Sequence, residues 1–267
     1  MTASLGTYHP ESGECYLCLT DDTPLTPEHV LPIWLGDYLR PKLGPMGFSW
    51  RNPDGNRVFA ERWTWKVPVC SPCNAWMNES IEEPARDIIK QLVVGAYSLD
   101  KLTRGQQIRV ATWVLKTAIF MDEWMHRNWD TPRSCPRSTI EFFYTHGAPS
   151  LEVTIWMGLL ADYYTQTTAP DNLRPKAGFD KPWMVTNVAW APIHIIGRWI
   201  VQTVCHPGTS AWTVDLPVEL EPHFFRVWPP HKDVLDWPPP VVIDRPTYET
   251  IIRMGKIRDP RTIESET

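Results

Sequence analysis

The chain contains two pairs of cysteines with the same spacing. They are Cys15-x-x-Cys18 and Cys70-x-x-Cys73. Two such pairs supply the four thiolates of a tetrahedral zinc site. The N-terminal residues carry neither the basic nor the apolar stretch of a secretory signal, so we expect a reducing, cytoplasmic setting in which disulfides are disfavoured. The spacing therefore predicts a structural Zn²⁺, whereas Cys135 and Cys205 are expected to pack as small buried residues.

An acidic residue and a histidine are adjacent in the segment between the two cysteine pairs. Glu28 and His29 lie in the run P-E-H-V-L-P, whose prolines favour an extended chain. Neighbours on a strand point to opposite faces, so the two side chains can flank one ion only if the strand bends or ends there. One group could then hold a metal while the other acts on a water. The alternative is a strand-edge histidine beside a solvated glutamate.

Two amide side chains follow the second cysteine pair. Asn74 comes directly after Cys73, and Asn78 lies four residues later on the same face of a helix that is predicted to begin at Asn74. An amide oxygen held next to a zinc-binding cysteine can coordinate a hard cation. The alternative role for Asn74 is that of a helix N-cap.

In their order, these motifs resemble the zinc-braced branch of the HNH endonucleases, the ββα-metal nucleases. The order is C-x-x-C, then E-H-V-L-P-I-W-L, then C-x-x-C-N-A-W-M-N-x-x-I-E, which is similar to a bacterial subgroup of that family. The resemblance covers residues 15–83, and its motifs are specific in combination. It implies that His29 is the general base, that Glu28 and Asn74 hold the catalytic divalent ion, and that the paired cysteines hold zinc.

The chain departs from the commonest HNH pattern at two positions. Glu28 stands where most members have aspartate, which is a chemically mild change. Asn78 stands where histidine or lysine is usual, so Asn78 is only a candidate ligand or phosphate contact.

The residue types also suit phosphodiester hydrolysis on chemical grounds. Histidine, with an unperturbed pKa of about 6.5, is suited to take a proton from water near neutral pH. One Mg²⁺ or Mn²⁺ with few protein ligands can offset the charge on the phosphate and the leaving oxygen. Together with the resemblance, these residue types predict a metal-dependent endonuclease with DNA rather than RNA as the expected substrate, and the resemblance implies phage defence or a mobile element as its setting. The alternative is a catalytically inactive, zinc-stabilised module that binds nucleic acid or protein.

The formal net charge of −5 argues against a nucleic-acid partner, but the charge is unevenly distributed. Residues 1–39 contain six acidic and no basic residues, whereas residues 40–66 contain six basic and two acidic residues. The candidate nucleic-acid contacts in the basic segment are Arg51, Arg57, Arg62 and Lys66. The tryptophans interleaved with them, which could stack on bases or pack in the core, are Trp50, Trp63 and Trp65.

The elements that must position these residues are predicted from turn signals and periodicity. The run N-P-D-G at 52–55 predicts a hairpin turn, and residues 63–67 alternate as a strand that leads into the second cysteine pair. A helix is expected over 74–94, with a kink at Pro84. Thr103 and Gln106 form a capping box that opens a largely apolar core helix, which extends to about Arg127.

Beyond residue 139, short apolar runs separated by proline and glycine predict antiparallel strands. These runs are 140–144, 151–156, 184–190, 194–204, 212–214 and 224–228. No apolar run is long enough to cross a membrane. The predicted fold class is therefore α+β.

Four segments make up the predicted domain organisation. An N-terminal zinc-braced ββα-metal module spans 1–95, a helical connector spans 96–135, a β-rich domain spans 136–252 and a flexible tail spans 253–267. The β-rich domain has no motif that names its role. It could read DNA, bind a protein partner or form a dimer with a second copy of the chain.

Overall fold

The computed structural model describes part of the chain. The described residues are 13–20, 24–43, 47–51, 57–61, 65–95, 99–129, 133–161, 183–185, 189–191, 193–205, 218–248 and 251. They form a mixed α+β structure of helices and antiparallel strands, as the sequence predicts. Within them, no helix is both long and apolar enough to cross a bilayer.

The elements of the N-terminal half surround the two cysteine pairs. They are β1 (Leu25–His29), α1 (Ile33–Leu43), β2 (Gly47–Arg51), β3 (Arg57–Glu61), β4 (Lys66–Cys70), α2 (Ser71–Met77), a π-helical segment (Asn78–Glu82) and α3 (Glu83–Val94). Antiparallel pairing of β1 with β4 places Glu28 opposite Val67 and His29 opposite Lys66. α2 begins directly where β4 ends. Leu25 lies opposite Cys70, so the start of α2 lies beside the beginning of β1, and Glu28 is three residues further along that strand.

The remaining elements follow a long central helix. They are β5 (Lys101–Thr103), α4 (Arg104–Trp129), α5 (Arg137–His146), β6 (Val153–Leu159), β7 (Trp183–Val185), β8 (Ala189–Ala191), β9 (Ile193–Ile196), β10 (Trp199–Cys205), a 3₁₀ turn (Glu221–His223), β11 (Phe224–Trp228) and β12 (Val234–Asp236). β12 pairs with β5. The sheet order β11-β6-β10-β8-β7, with β9 also on β10, makes a six-stranded antiparallel sheet.

Several local predictions near the cysteines are confirmed. β2 and β3 pair as the predicted hairpin, and the turn residues 52–55 lie outside the described residues. A strand leads into the second cysteine pair, as β4. Trp65 is packed rather than exposed, because its ring stacks on Trp124 with centroids 4.1 Å apart. The side chains of Trp50 and Trp63 lie outside the described residues.

The helix after the second cysteine pair differs from its prediction. It begins at Ser71 rather than Asn74, because Pro72 occupies the first turn, where its missing N–H is not needed. Asn74 is therefore inside α2 and is not an N-cap. A π-helical segment ends two residues before Pro84, and the predicted kink at Pro84 stays a prediction. Gly95 in the left-handed conformation ends the helix after Val94.

α4 is the central core helix that the sequence predicts. The backbone N–H of Thr103 donates to Gln106 Oε1 at 2.8 Å, and the N–H of Gln106 lies 3.4 Å from Thr103 Oγ1, so the capping box is formed. The helix contacts α3, the π-helical segment and β4, and also β10 and β11 of the large sheet. It is therefore positioned between the cysteine-containing region and that sheet.

The predicted strand at 140–144 is wrong, because these residues lie in helix α5. Thr139, Ile140 and Phe143 are its buried residues, and their spacing is that of one helix face. The runs at 151–156, 184–190, 194–204 and 224–228 do contain strands, namely β6 to β11, and 212–214 lies outside the described residues. Cys135 and Cys205 are buried as expected.

Two clusters of buried side chains cover the two faces of the six-stranded sheet. Along β10, Trp199 and Val201 belong to the cluster that includes α4, whereas Ile200 belongs to the second cluster. This alternation is the period of a strand that is buried on both faces. The larger cluster contains residues from Cys15 to Trp237. The division into domains at residues 95 and 135 stays a prediction.

The turn between β9 and β10 provides a test of the fold. Gly197 has a φ of +64°, and a Cβ there would lie 2.1 Å from the carbonyl oxygen of Val93. We expect Gly197→Ala to lower the free energy of unfolding by about 2 kcal/mol or more, because it adds left-handed strain to a backbone clash.

Chemical denaturation followed by circular dichroism measures this effect. The matched control is Gly105→Ala in the first turn of α4, where a Cβ meets no described atom within 4 Å. Its expected effect is a gain of about 0.5–1 kcal/mol from helix propensity. Equal stabilities of the two variants would contradict the described packing of this turn on α3.

Candidate metal centre and active-site pocket

The four paired cysteines lie together at the N-terminal side of the molecule. Their sulfur atoms are all within 4.8 Å of one another, and the Cys18 and Cys70 sulfurs are 3.7 Å apart. A tetrahedron with Zn–S bonds of about 2.3 Å has sulfur atoms about 3.8 Å apart. The predicted cluster is therefore formed, and it can hold a structural metal such as zinc.

Local backbone structure brings the two pairs together. Cys15 and Cys18 lie on a tight turn that closes with a hydrogen bond from the N–H of Leu19 to the carbonyl of Cys15, at 2.8 Å. Cys70 ends β4 and Cys73 lies in the first turn of α2. The first pair thus lies on a tight turn and the second at a strand-to-helix junction, where the four sulfurs can face a common point.

An arginine from α5 holds the first cysteine turn in place. The guanidinium of Arg137 donates to the carbonyl oxygens of Tyr16, at 2.8 Å, and Leu17, at 3.0 Å. These carbonyls belong to the turn between the two cysteines. The planar fork of arginine fits two adjacent acceptors and so fixes the orientation of the turn.

The thiols differ in how readily they ionise without a cation. Burial raises the pKa of Cys15, and burial followed by the neighbouring thiols raises that of Cys73. Burial opposes ionisation at Cys18 too, but hydrogen bonds with Thr20 lower its pKa to about 7. A bound metal ion would hold all four as thiolates, because a coordinating thiol is deprotonated outright.

A second site lies beside the cysteine cluster, in a pocket of about 360 Å³. Its lining residues are Thr26, Glu28, Ser71, Asn74, Ala75, Asn78 and Glu82. They come from β1, α2 and the π-helical segment. The structure therefore brings together three of the predicted site residues, Glu28, Asn74 and Asn78, and adds a second carboxylate.

The orientation of the Asn74 amide is fixed by the strand pair. Its Nδ2 donates to Thr26 Oγ1 at 3.1 Å, and that hydroxyl donates to the carbonyl of Val69 at 3.1 Å. Because the nitrogen is engaged by Thr26, the carbonyl oxygen of Asn74 is the atom that can serve as a ligand. Asn78 is exposed at the junction of α2 and the π-helical segment.

Glu28 is bound to a lysine from the middle of α4. Lys116 Nζ donates to Glu28 Oε1 at 3.0 Å, to Glu82 Oε1 at 2.8 Å and to the backbone carbonyl of His29 at 2.8 Å. Burial alone would lower the pKa of Lys116, but the charges of Glu82 and Glu28 raise it above its ordinary value. Lys116 is therefore a cation at neutral pH, and it makes a buried ion-pair triad with the two acids.

His29 occupies the position that strand alternation predicts. It is half-buried, whereas the adjacent Glu28 side chain points into the pocket. The His29 side chain is not one of the described residues that line the pocket. β1 ends at His29. Burial lowers the pKa of His29, and the charges of Lys66 and Lys116 lower it further, so its neutral, basic form predominates at neutral pH.

The predicted nucleic-acid contacts fall largely outside the described side chains. Arg51 and Arg57 are directly opposite each other on β2 and β3, and only their backbone is described. Arg62 lies outside the described residues. Lys66 is half-buried on β4 opposite His29. Their role as phosphate contacts stays a prediction.

Sequence reasoning missed the roles of Glu82 and Lys116. Glu82 is the last residue of the motif that follows the second cysteine pair. It lies four residues after Asn78, a spacing that places both side chains on one face of a helix and could have indicated a shared site. Lys116 is a lysine within a stretch of α4 that is otherwise buried. A charged side chain in such a stretch indicates a buried partner of opposite charge, although the sequence does not identify that partner.

The two sites offer donors of different chemistry. The cysteine cluster offers soft sulfur ligands, which suit zinc, whereas the pocket offers carboxylate and amide oxygens, which suit a hard divalent cation such as Mg²⁺ or Mn²⁺. Compared with protein-family models, with curated proteins and with solved structures, the chain gives no match.

Proposed function

We propose that the chain is a metal-dependent endonuclease of the HNH type, which hydrolyses phosphodiester bonds of DNA. The observation that carries the proposal is the pocket in which Glu28 and Asn74 meet, beside the four-cysteine cluster and next to His29. The order of an antiparallel strand pair followed directly by a helix is the arrangement that the resemblance implies. Of the motif residues, the four cysteines form one cluster, and Glu28, Asn74, Asn78 and Glu82 line one pocket.

In this proposal the two kinds of donor hold two kinds of ion. The four cysteines hold a structural Zn²⁺, and Glu28 and Asn74 hold an exchangeable Mg²⁺ or Mn²⁺, with Glu82 and Asn78 as further oxygen donors. When bound, the divalent ion supplies positive charge that offsets the charge developing on the phosphate and the leaving oxygen.

The chain's own residues have distinct roles. His29 is the general base, because its lowered pKa keeps the imidazole unprotonated and able to accept a proton from water at neutral pH. β1 ends at His29, and the imidazole does not line the pocket, so this role requires the end of β1 to turn the His29 side chain toward the bound ion. The basic segment 40–66, with Arg51, Arg57, Arg62 and Lys66, contacts the DNA phosphates.

One observation favours the alternative, an inactive zinc-stabilised module that binds nucleic acid or protein. Lys116 already contacts a carboxylate oxygen of both Glu28 and Glu82. An ammonium in that position can satisfy the two acids without any divalent ion. A cleavage assay separates the two functions, because the binding module has no metal-dependent activity.

The assay uses purified full-length protein and supercoiled plasmid with EDTA, Mg²⁺, Mn²⁺ or Ni²⁺. We expect nicked or linear product with Mg²⁺ or Mn²⁺ and none with EDTA. Asn74→Ala should reduce cleavage by about 10–100-fold at low Mn²⁺ and recover partly at high Mn²⁺, because the loss of one ligand weakens metal binding.

The matched control is Asn128→Ala on α4. Its amide donates to the carbonyl of Trp124, far along the helix from Lys116, and its loss should leave cleavage unchanged. Wild-type protein that binds plasmid but never cleaves it would favour the binding module. Cleavage that persists unchanged in EDTA would contradict a catalytic divalent ion.

A further inference from the structure

Lys116 is completely enclosed by protein. Its side chain is 0% exposed, and its ammonium has three N–H donors, which meet three oxygens: one of Glu28, one of Glu82 and the backbone carbonyl of His29. No donor remains for a substrate phosphate. Lys116 therefore acts through the residues it contacts rather than on the substrate.

The three oxygens around the ammonium resemble the ligand shell of a cation. Two of them belong to residues that also line the candidate metal pocket, Glu28 and Glu82. Both carboxylates contact the ammonium through Oε1. Each acid can thus face Lys116 on one side and the pocket on the other.

The charges of this group determine what a divalent ion meets. Two carboxylates and one ammonium leave one net negative charge beside the pocket. Without Lys116, two negative charges would attract the divalent ion, and Coulomb repulsion between the ammonium and that ion would be absent. Repulsion of this kind is strong where water is excluded, and α4 buries Lys116 fully.

We propose that the Lys116 ammonium is a resident cation of the candidate metal site. The ammonium shares Glu28 and Glu82 with the divalent ion and thereby weakens the binding of that ion. This inference rests on the metal site of the proposed function. It gives the lysine a purpose in that site: with the divalent ion bound, the group carries one net positive charge, which complements a phosphodiester. Without the lysine, the same group would be neutral.

The test compares Mn²⁺ affinity in zinc-loaded, full-length proteins at one fixed pH, by calorimetry and by the electron paramagnetic resonance signal of free Mn²⁺. We expect Lys116→Met to bind Mn²⁺ at least about tenfold more tightly than wild type, because a repelling charge is removed. Lys101→Met is the matched control. It removes the same charge from an exposed position on β5 and should leave the affinity within about twofold.

A second variant keeps the test valid if Lys116→Met does not fold. Lys116→Gln removes the charge but keeps N–H donors for the two carboxylates. Circular dichroism and zinc content establish that each variant is folded. Mn²⁺ affinity that is unchanged or weaker in the folded variants overturns the inference, and so does a loss of the folded state in both, because Lys116 would then be a purely structural residue.

The inference and the proposed function fail in different ways. Wild-type protein without cleavage activity contradicts the nuclease, but tighter Mn²⁺ binding by Lys116→Met would still support the resident cation. Binding in that variant and none in wild type would support it as well, with the lysine excluding the ion altogether. If neither protein binds Mn²⁺, the inference is overturned.

Discussion

Cys70→Ser is expected to release the structural metal and to unfold the region around β1, β4 and α2. Cys70 is buried at the junction of β4 and α2, and its sulfur lies 3.7 Å from that of Cys18. Structural zinc contributes about 10–16 kcal/mol of apparent binding energy in small zinc domains, so the loss of one thiolate removes a large part of the local stability. The pocket residues should lose their arrangement with it.

Zinc content by elemental analysis and thermal unfolding by circular dichroism measure this outcome. Cys205→Ser is the matched control, because Cys205 is equally buried but lies outside the cluster, beside Thr139. It should keep one zinc per chain and most of the thermal stability. Freshly purified wild-type protein without zinc, or a Cys70→Ser protein with wild-type zinc content, would refute the structural metal.

His29→Ala is expected to lower the cleavage rate by about 10²–10⁴-fold, which is the usual contribution of a general base. Zinc content, thermal stability and DNA affinity should stay close to those of wild type. The structural reason is that Lys116 binds the backbone carbonyl of His29, and an alanine keeps that carbonyl. The substitution therefore removes the imidazole without removing the contact that holds the end of β1.

Single-turnover cleavage of a labelled duplex measures the rate of the chemical step. His146→Ala, at the exposed end of α5, is the control and should cleave as wild type does. If His29→Ala retained the wild-type rate, another group would have to be the base.

The pH dependence follows from the same side chain. Since burial and the charges of Lys66 and Lys116 hold the pKa of His29 below its ordinary value of 6.5, the rate should rise with pH on the acid side of 6.5 and level off above it. A rising limb centred well above that value would indicate a different titrating group.

The sequence alone predicted the parts of the site that depend on short spacings. The cysteine pairs, the capping box of α4 and the β2–β3 hairpin each rest on residues a few positions apart, and the structure has all three. The strand predicted at 140–144 failed for a physical reason. The run I-E-F-F-Y is rich in β-branched and aromatic residues, but burial of Ile140 and Phe143 on one face favours a helix, and Gly147 ends it.

The parts that could not be predicted depend on contacts between distant residues. Lys116 is 88 residues from Glu28 and 34 from Glu82, and nothing local in α4 reveals those partners. The π-helical segment could not be predicted from the sequence either, because N-E-S-I-E contains no residue that requires the wider turn of a π-helix. α4 contacts this segment, so the lysine and the segment meet only in the folded chain.

The hydrogen bonds from Arg137 to the first cysteine turn limit how far the chain can be shortened from its C-terminus without losing contacts to the metal centre. A fragment ending at residue 135 would contain all four cysteines and every motif residue, yet it would leave the carbonyls of Tyr16 and Leu17 without their guanidinium. It would also remove Phe143 and Tyr144, whose rings make T-shaped contacts with Trp76. We therefore expect the smallest expression fragment with an intact metal centre to include α5, although the motif residues themselves end about 50 residues earlier.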